Sequence, residues 1–550
     1  MLDLQIDDKY IDLGDDFSFT MNLKSPIFND LGSYSYPFKI SNTSKNSKIF
    51  GFRHRIQSTT DVYKSNPGTF LWNGHPLFFG IVKMQTLDPK TLEGSIINSD
   101  SDFYAKAKKL NLNQFDYGDK TFATEVDAMW YLTNSKDSKY PDYPFACPTI
   151  FNDLFFDPPT TDPDLQLYND FHGGARLWTL TTGGDRTIII PMLYLPYVLS
   201  LISSQLGYKL TDELFTPDPE LSRLVLYNSF NCNNGITSLI SDLRFNNHIP
   251  GLLLIDFIGA LEKYFCSATF IDGINKKIRI VPTKKIILDS SFIEFSKNIL
   301  SIQTVLEDQG FGFVSQMDID GDDPKMEYIK DQDDKVKDKI KGSVKTFMDL
   351  PPWPIAQFLD IYYVEDEHKY YLKDSPTTWF WYYGTYSCQS MFFFRDAKKE
   401  PQQTIETALS TLNYRPPVPS VNPPIEGGLI CGNKGDDWEK IVPRILFALP
   451  TLAINQIDYF TSGMNESDNY SLFFPGAKGL FSKFWKEFLR FRLSTKLVKI
   501  TKQMEFAELQ NFDFSRKYMI NGTKYLIKDI QVVLKKDMIM PAILECYPCP

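Results

Sequence analysis

At 550 residues the chain is long enough for about three or four domains. Its 43% hydrophobic and 23% charged content exclude a disordered chain, and an aromatic share of 15% favours β-rich structure, where rings pack well on pleated surfaces. A net charge of −10, from 58 basic and 68 acidic residues, argues against a protein that grips a nucleic-acid backbone, because that affinity rests on Lys and Arg.

Seven cysteines, at 147, 232, 266, 388, 431, 546 and 549, are scattered and odd in number, which suits reduced thiols in a cytosolic setting. Cys546 and Cys549 form a lone C-x-x-C without the second pair a zinc site needs. The acidic start MLDLQIDDKYIDLG has no basic or apolar leader region, so no signal peptide is expected. No apolar run reaches the ~20 residues that span a bilayer. The nearest, Ile188–Leu206, is broken by Pro191 and Pro196 and reads as buried.

Residues 1–110 read as a β-barrel-like domain. Phe17, Phe19 and Met21 alternate, as do Phe38 and Ile40, and Asn73-Gly74 marks a tight turn between Phe70-Leu71 and the run from Leu77 to Val82. A short helix is expected near Asp102–Leu110, with Phe103, Ala107 and Leu110 on one side. Residues 111–190 are broken by Pro141, Pro144, Pro148, Pro158, Pro159 and Pro163 and read as a loop-rich insertion or interface segment. Residues 191–282 read as an α+β domain. One helix should end at Gly207, a residue free to take the left-handed conformation. A further element is expected over Pro219–Leu226. In 247–282 a helix is expected with Leu253, Phe257, Leu261 and Phe265 on one stripe and Pro250 in its first turn. A hairpin should follow, with Ala268, Phe270 and Ile278, Ile280 alternating with their neighbours on either side of a turn at Asp272-Gly273.

Residues 283–412 read as a second β-domain. It carries the strand-like Phe311–Met317, an acidic mobile loop at 318–341, and a hairpin turning at Glu365–His368. The aromatic run Trp379–Tyr383 reads as strand core or subunit interface. Residues 413–428, NYRPPVPSVNPPIEGG, read as an extended Pro-rich linker. Residues 429–550 form a C-terminal β-domain with a helix at 479–493 (Leu480, Phe484, Phe488 and Phe491 on one face). Strands are expected at Lys517–Ile520 and Lys524–Asp529 across Asn521-Gly522, then at Gln531–Leu534. The fold class expected is therefore α+β and β-rich, multi-domain, with β-barrel-like domains and smaller α+β domains.

No chemistry stands out. His54, His75, His172, His248 and His368 are far apart in sequence and in no paired-ligand spacing, and His248 ahead of Pro250 reads as a loop terminator. There is no G-x-S-x-G elbow and no phosphate-loop motif, and Thr181–Asp185 does not link a strand to a helix. Asp318, Asp320, Asp322, Asp323 and Glu327 have the wrong spacing for a calcium loop. Glu365, Asp366 and Glu367 read as a polar hairpin tip. No catalytic, cofactor-binding or metal residue is nominated, and no cofactor is expected.

Three stretches together resemble the tail hub, or baseplate hub, proteins of tailed bacteriophages. FTMNLKSPIFNDLGSYSYPFKISNTSKNSKIFGFRHRI is similar to their opening β-domain. PYVLSLISSQLGYKL with HIPGLLLIDFIGALEKYFCSATFID and KKIRIVP is similar to their central helix-plus-hairpin segment. LFSKFWKEFLRFRLSTKLVKITKQMEFAELQNFDFSRKYMINGTKYLIKDIQVVL is similar to their C-terminal β-domain. Segments 111–190 and 318–341 have no counterpart.

The resemblance implies a structural subunit of the virion tail, not an enzyme. It would form a homo-oligomeric ring, usually a trimer, assembled in the host bacterial cytoplasm. Its partners would be a tail tube or distal tail protein, the tape-measure protein and a tip or spike protein. DNA would pass through transiently, unbound, during ejection. No lytic or receptor-binding extension is expected after the last β-domain. The alternative is a carbohydrate-binding or glycan-degrading β-protein, which Trp379–Tyr383 and the many acids would serve; a peptidase-like tail protein lacks a nucleophile–His constellation.

Overall fold

The computed structural model describes residues 1–28, 35–52, 54–55, 66–135, 139–152, 154–155, 167–169, 188–234, 238–239, 242–273, 275–305, 312–317, 340–351, 361–364, 369–373, 379–382, 389–393, 403–407, 411–415, 428–431, 443–448, 463–464, 467–474 and 477–549.

The start of the chain forms a six-stranded antiparallel sheet in the order Lys9–Tyr10, Leu2–Ile6, Asn66–Trp72, His75–Leu87, Thr91–Asn98, Ser35–Ser41. Alternation drives it: Leu2, Leu4 and Ile6 are buried while Asp3 and Gln5 are not. Asn73 and Gly74 form a two-residue turn with φ of 50° and 80°. That pair of positive angles matches strand twist, which is why Asn-Gly belongs there.

The inner face of this sheet is covered by the end of the chain. A seven-stranded sheet runs Ile293–Glu294, Tyr518–Ile520, Thr523–Lys535, Ala542–Cys549, Leu497–Lys502, Ile299–Val305, with Ser18–Lys24 also paired to Thr523–Lys535. In that pairing Met21 lies opposite Val532 and Phe19 opposite Leu534. Phe17, Phe19, Met21 and Phe70 share one buried cluster with Ile500, Ile530, Val532 and Leu544. The expected division into units 1–110 and 429–550 is corrected here: both ends build one β-core. Periodicity reveals which face of a strand is apolar, not which distant strand will cover it.

Asn521-Gly522 forms a second tight turn, with φ of 49° and 80°. The strands expected at 524–529 and 531–534 are one strand, Thr523–Lys535, whose register shifts between Ile527 and Asp529. A bulge of this kind bends the strand without ending it.

A second, larger core lies in the middle of the sequence. The helix Ser99–Ala107 buries Phe103 and Ala107 there, not in the N-terminal core. Segment 111–190 is not an insertion in its described parts. It supplies the helix Glu125–Asn134, and Tyr117, Phe122, Leu132 and Phe145 join the same core. Ile150, Tyr168, Ile188 and Ile190 form a smaller adjoining one. The helix Leu195–Gln205 has proline in its first turn and is followed by Gly207 at φ 79°. The element expected at Pro219–Leu226 is a 3-10 turn, Leu221–Arg223, leading into the strand Leu224–Leu226.

The helix of segment 247–282 spans Leu254–Phe265 and buries Phe257, Ala260, Leu261, Tyr264 and Phe265. Leu253 caps it, so Pro250 lies ahead of the helix and not in its first turn. The strands Ser267–Asp272 and Lys277–Pro282 form the expected hairpin, with Ala268 opposite Val281, Phe270 opposite Arg279 and Ile271 opposite Ile278, but the turn is longer than Asp272-Gly273, and Lys276 takes φ 52°. The hairpin faces two ways. Ile278 and Ile280 enter the central core. Val281 enters a cluster with Ile286, Ile287, Phe491, Leu526 and Tyr547 against the C-terminal sheet. Segment 247–282 thus ties the central core to the terminal β-core.

The helix expected at 479–493 begins as a π-helical turn, Phe481–Trp485, and continues as the α-helix Lys486–Ser494. The wide turn inserts an extra residue and rotates the face. Leu480 and Phe484 then sit in the central core and Phe491 in the cluster beside the C-terminal sheet. The linker expected at 413–428 begins and ends in paired strands: Asn413–Arg415 lies antiparallel to Gly428–Ile430, with Arg415 opposite Gly428. It connects neighbours in one sheet, not two domains; the prolines at 416–424 lie outside the described residues. Strands Ile361–Val364 and Lys369–Lys373 form the expected hairpin, extended by Trp379–Tyr382. Residues 318–339 of the acidic loop, the hairpin tip 365–368 and the glycine-rich 181–185 also lie outside the described residues.

Candidate functional site

Sequence reading nominated no site residue. The structure brings together two sets of chemistry-bearing side chains, both in the interior. Long-range pairing assembles them, so no spacing in the sequence announces them.

The first set is Asn228, Cys232 and His248. A short 3-10 turn, Phe245–His248, delivers the imidazole inward, and His248 is completely buried. Its Nδ1 lies 3.2 Å from Asn228 Oδ1 and its Nε2 3.8 Å from Cys232 Sγ. The Asn228 amide donates from Nδ2 to the Pro191 carbonyl at 2.8 Å, which fixes Oδ1 toward the histidine. An amide oxygen only accepts, so Nδ1 carries the proton and Nε2 offers its lone pair to the thiol. Asn228 Oδ1 also accepts the Phe230 N–H at 3.0 Å.

This is the residue set of a thiol hydrolase, but the environment is wrong for one. Cys232 and Asn228 are 1% and 2% exposed, so no substrate carbonyl reaches the sulfur. Burial pushes the Cys232 thiol well up, with Cys147 adding to the effect. A nucleophilic cysteine needs the opposite shift. The three residues instead act as a latch. They join Pro191, the 228–232 segment and the turn at 248, where sequence reading saw only a loop terminator in His248.

Burial also lowers the His248 pKa from 6.5 to about 3. The folded protein therefore holds this imidazole neutral while the unfolded chain protonates it below about pH 6.5. Its contribution to stability is complete above that pH and is lost progressively as pH falls toward 3. Between pH 6.5 and 5 the loss is about 2 kcal/mol. Thermal unfolding of the wild type and His248→Gln across this window should show a shallower pH dependence in the variant. Equal slopes would mean that His248 is not held neutral.

The second set is Tyr168, Tyr227 and Cys431. The two hydroxyls lie 3.3 Å apart, and 2.9 and 3.1 Å from the Cys431 sulfur. Asn152 Nδ2 donates to Tyr168 Oη at 2.6 Å. The buried Arg444 guanidinium stands 5.2 Å from the Tyr227 ring centre. Desolvation raises both phenols well above their ordinary range, so they stay protonated and serve as hydrogen-bonding cross-links.

The C-x-x-C pair at the end lies on a strand, where residues three apart face opposite ways. Cys546 accordingly sits in the terminal β-core and Cys549 in the cluster on the sheet's other side. They cannot share a metal ion or form a disulfide. Among the described residues no group of three His, Cys, Asp or Glu side chains is placed to hold a metal. Among the described residues no helix is long and apolar enough to cross a membrane. Trp379–Tyr382 is a strand paired to Lys369–Lys373.

What the described surface does offer is apolar. Leu288, Phe292, Leu300, Ile302 and Ile543 are exposed on or beside the C-terminal sheet.

No family model matches the chain. No curated protein matches it. Two solved structures align along nearly all of it. The 43 kDa tail protein of prophage MuSo2 from Shewanella oneidensis covers 99% of this chain and 97% of its own, at 9% identity and a TM-score of 0.37. The tail protein of Neisseria meningitidis MC58 covers 99% and 95%, at 7% identity and a TM-score of 0.34. Overlap at these scores is too low to assign a fold.

Proposed function

We propose that this chain is a structural, non-enzymatic subunit of a bacteriophage tail, a hub of the tail tip or baseplate that assembles into a homo-oligomeric ring. The supporting observation is where the hub-like stretches fall. The stretch beginning FTMNLK contains Phe19–Lys24, nearly all of the N-terminal strand that pairs into the C-terminal sheet. The stretch from His248 to Pro282 is the helix and hairpin between the cores. The stretch from Leu480 to Leu534 supplies the π-turn, the helix and much of the seven-stranded sheet. The hub-like segments are thus the ones that meet.

The interior polar sets described above serve as cross-links, which suits a scaffold. A surplus of ten negative charges lets DNA pass without adhering. In this reading the ring is a trimer and joins the tail tube or distal tail protein to a tip or spike. The tape-measure protein reaches it from above, assembly occurs in the host bacterial cytoplasm, and DNA crosses the lumen during ejection. Electron micrographs of the purified protein test this: rings with an open centre are expected. Isolated monomers at every concentration would overturn it.

A further inference from the structure

The strand Ile299–Val305 ends the seven-stranded sheet. It pairs on one side only, with Leu497–Lys502, and among the described residues no strand lies beyond it. All residues from Leu300 to Thr304 are exposed, on both faces. Leu300 is 59% and Ile302 41% exposed.

The other ends of the two terminal sheets are blunted. Lys9–Tyr10 and Ile293–Glu294 are only two residues long, and Ser35–Ser41 carries Pro37 and Lys39. Short strands, proline and charge are the usual protection of an open edge. The sequence ILSIQTV has none of these three, and the one irregularity in its ladder is a register shift at Leu300, which leaves Ser301–Val305 in continuous register with Leu497–Thr501.

The core row also runs out through this edge. Leu544 and Ile500 are completely buried and lie opposite one another, and Ile302 stands next in the same row.

We infer that this edge pairs antiparallel with the same strand of a second copy of the chain, about a two-fold axis at Ile302. The strand is self-complementary in that register. Ile302 meets Ile302, Leu300 meets Thr304, and Ser301 meets Gln303, with no charge opposed. The apolar row then continues from Leu544 and Ile500 through both Ile302 side chains into the second core. Strand addition of this kind draws affinity from main-chain hydrogen bonds and register from the side chains. The contact is separate from the one that closes a ring.

Sedimentation of the purified full chain tests it. The wild type should form assemblies with an even number of chains. Ile302→Lys places like charges across the axis and should weaken association by about tenfold or more. Leu288→Lys, an equally drastic change at another exposed apolar residue, should leave it unchanged. Mixing Ile302→Lys with Ile302→Glu should restore pairing, because only a two-fold contact sets the two side chains opposite one another. Hydrogen exchange on the wild type should show amides of 299–305 gaining protection as concentration rises, a readout that needs no variant. An odd-numbered assembly that Ile302→Lys leaves intact overturns the two-fold contact while the ring reading stands. A mixture that fails to pair, or exchange at 299–305 independent of concentration, also overturns it.

Discussion

Phe257→Ala is expected to destabilise the fold by about 3–5 kcal/mol, the range for deleting a fully buried phenylalanine ring. Phe257 is completely buried on the helix Leu254–Phe265, within the central core. The same helix leads into the hairpin whose Val281 reaches the C-terminal sheet cluster. The loss should therefore register beyond the central core. Denaturant unfolding followed by tryptophan fluorescence and by far-ultraviolet circular dichroism provides the measurement. A variant that keeps wild-type stability but loses a binding activity would make Phe257 part of a site and not of the scaffold.

Phe19→Ala should have an effect of the same size, about 3–5 kcal/mol, and its reach is the more informative part. Phe19 is completely buried, and its ring centre is 4.1 Å from that of Phe70 in the N-terminal sheet. Its backbone pairs with Leu534 in the C-terminal sheet. Amide exchange should thus accelerate in Ala542–Cys549 as well as in Asn66–Trp72. Were the two ends independent domains, only the N-terminal strands would respond.

The parts of the fold that were legible in the sequence are those decided locally. Asn73-Gly74 and Asn521-Gly522 turn where expected because few residues other than glycine and asparagine tolerate paired positive φ. The helix at 254–265 was visible because its apolar residues recur with helical period. Its start was misplaced by the pull of Pro250, which belongs to the preceding loop.

Long-range partnership was not legible. Nothing near Met21 indicates that Val532 will face it. Lys502 carries a similar lesson. Strand alternation points this lysine inward, and its side chain is completely buried. It is held by Glu508 at 3.0 Å, by the Lys297 carbonyl, and 4.4 Å from the Phe295 ring centre. A buried charge survives only with such partners, and two of them, Phe295 and Lys297, come from a segment some two hundred residues away. The interior sets around His248 and Cys431 escaped the sequence for the same reason. Each residue alone is unremarkable, and only the fold makes them neighbours.

The most direct measurement of the proposed role is immunogold labelling of the tailed particles that this chain is proposed to help build. Gold confined to the tail end distal to the head is the expected result. Particles without gold, with the chain recovered only as free protein from the lysate, would contradict a structural role in the tail.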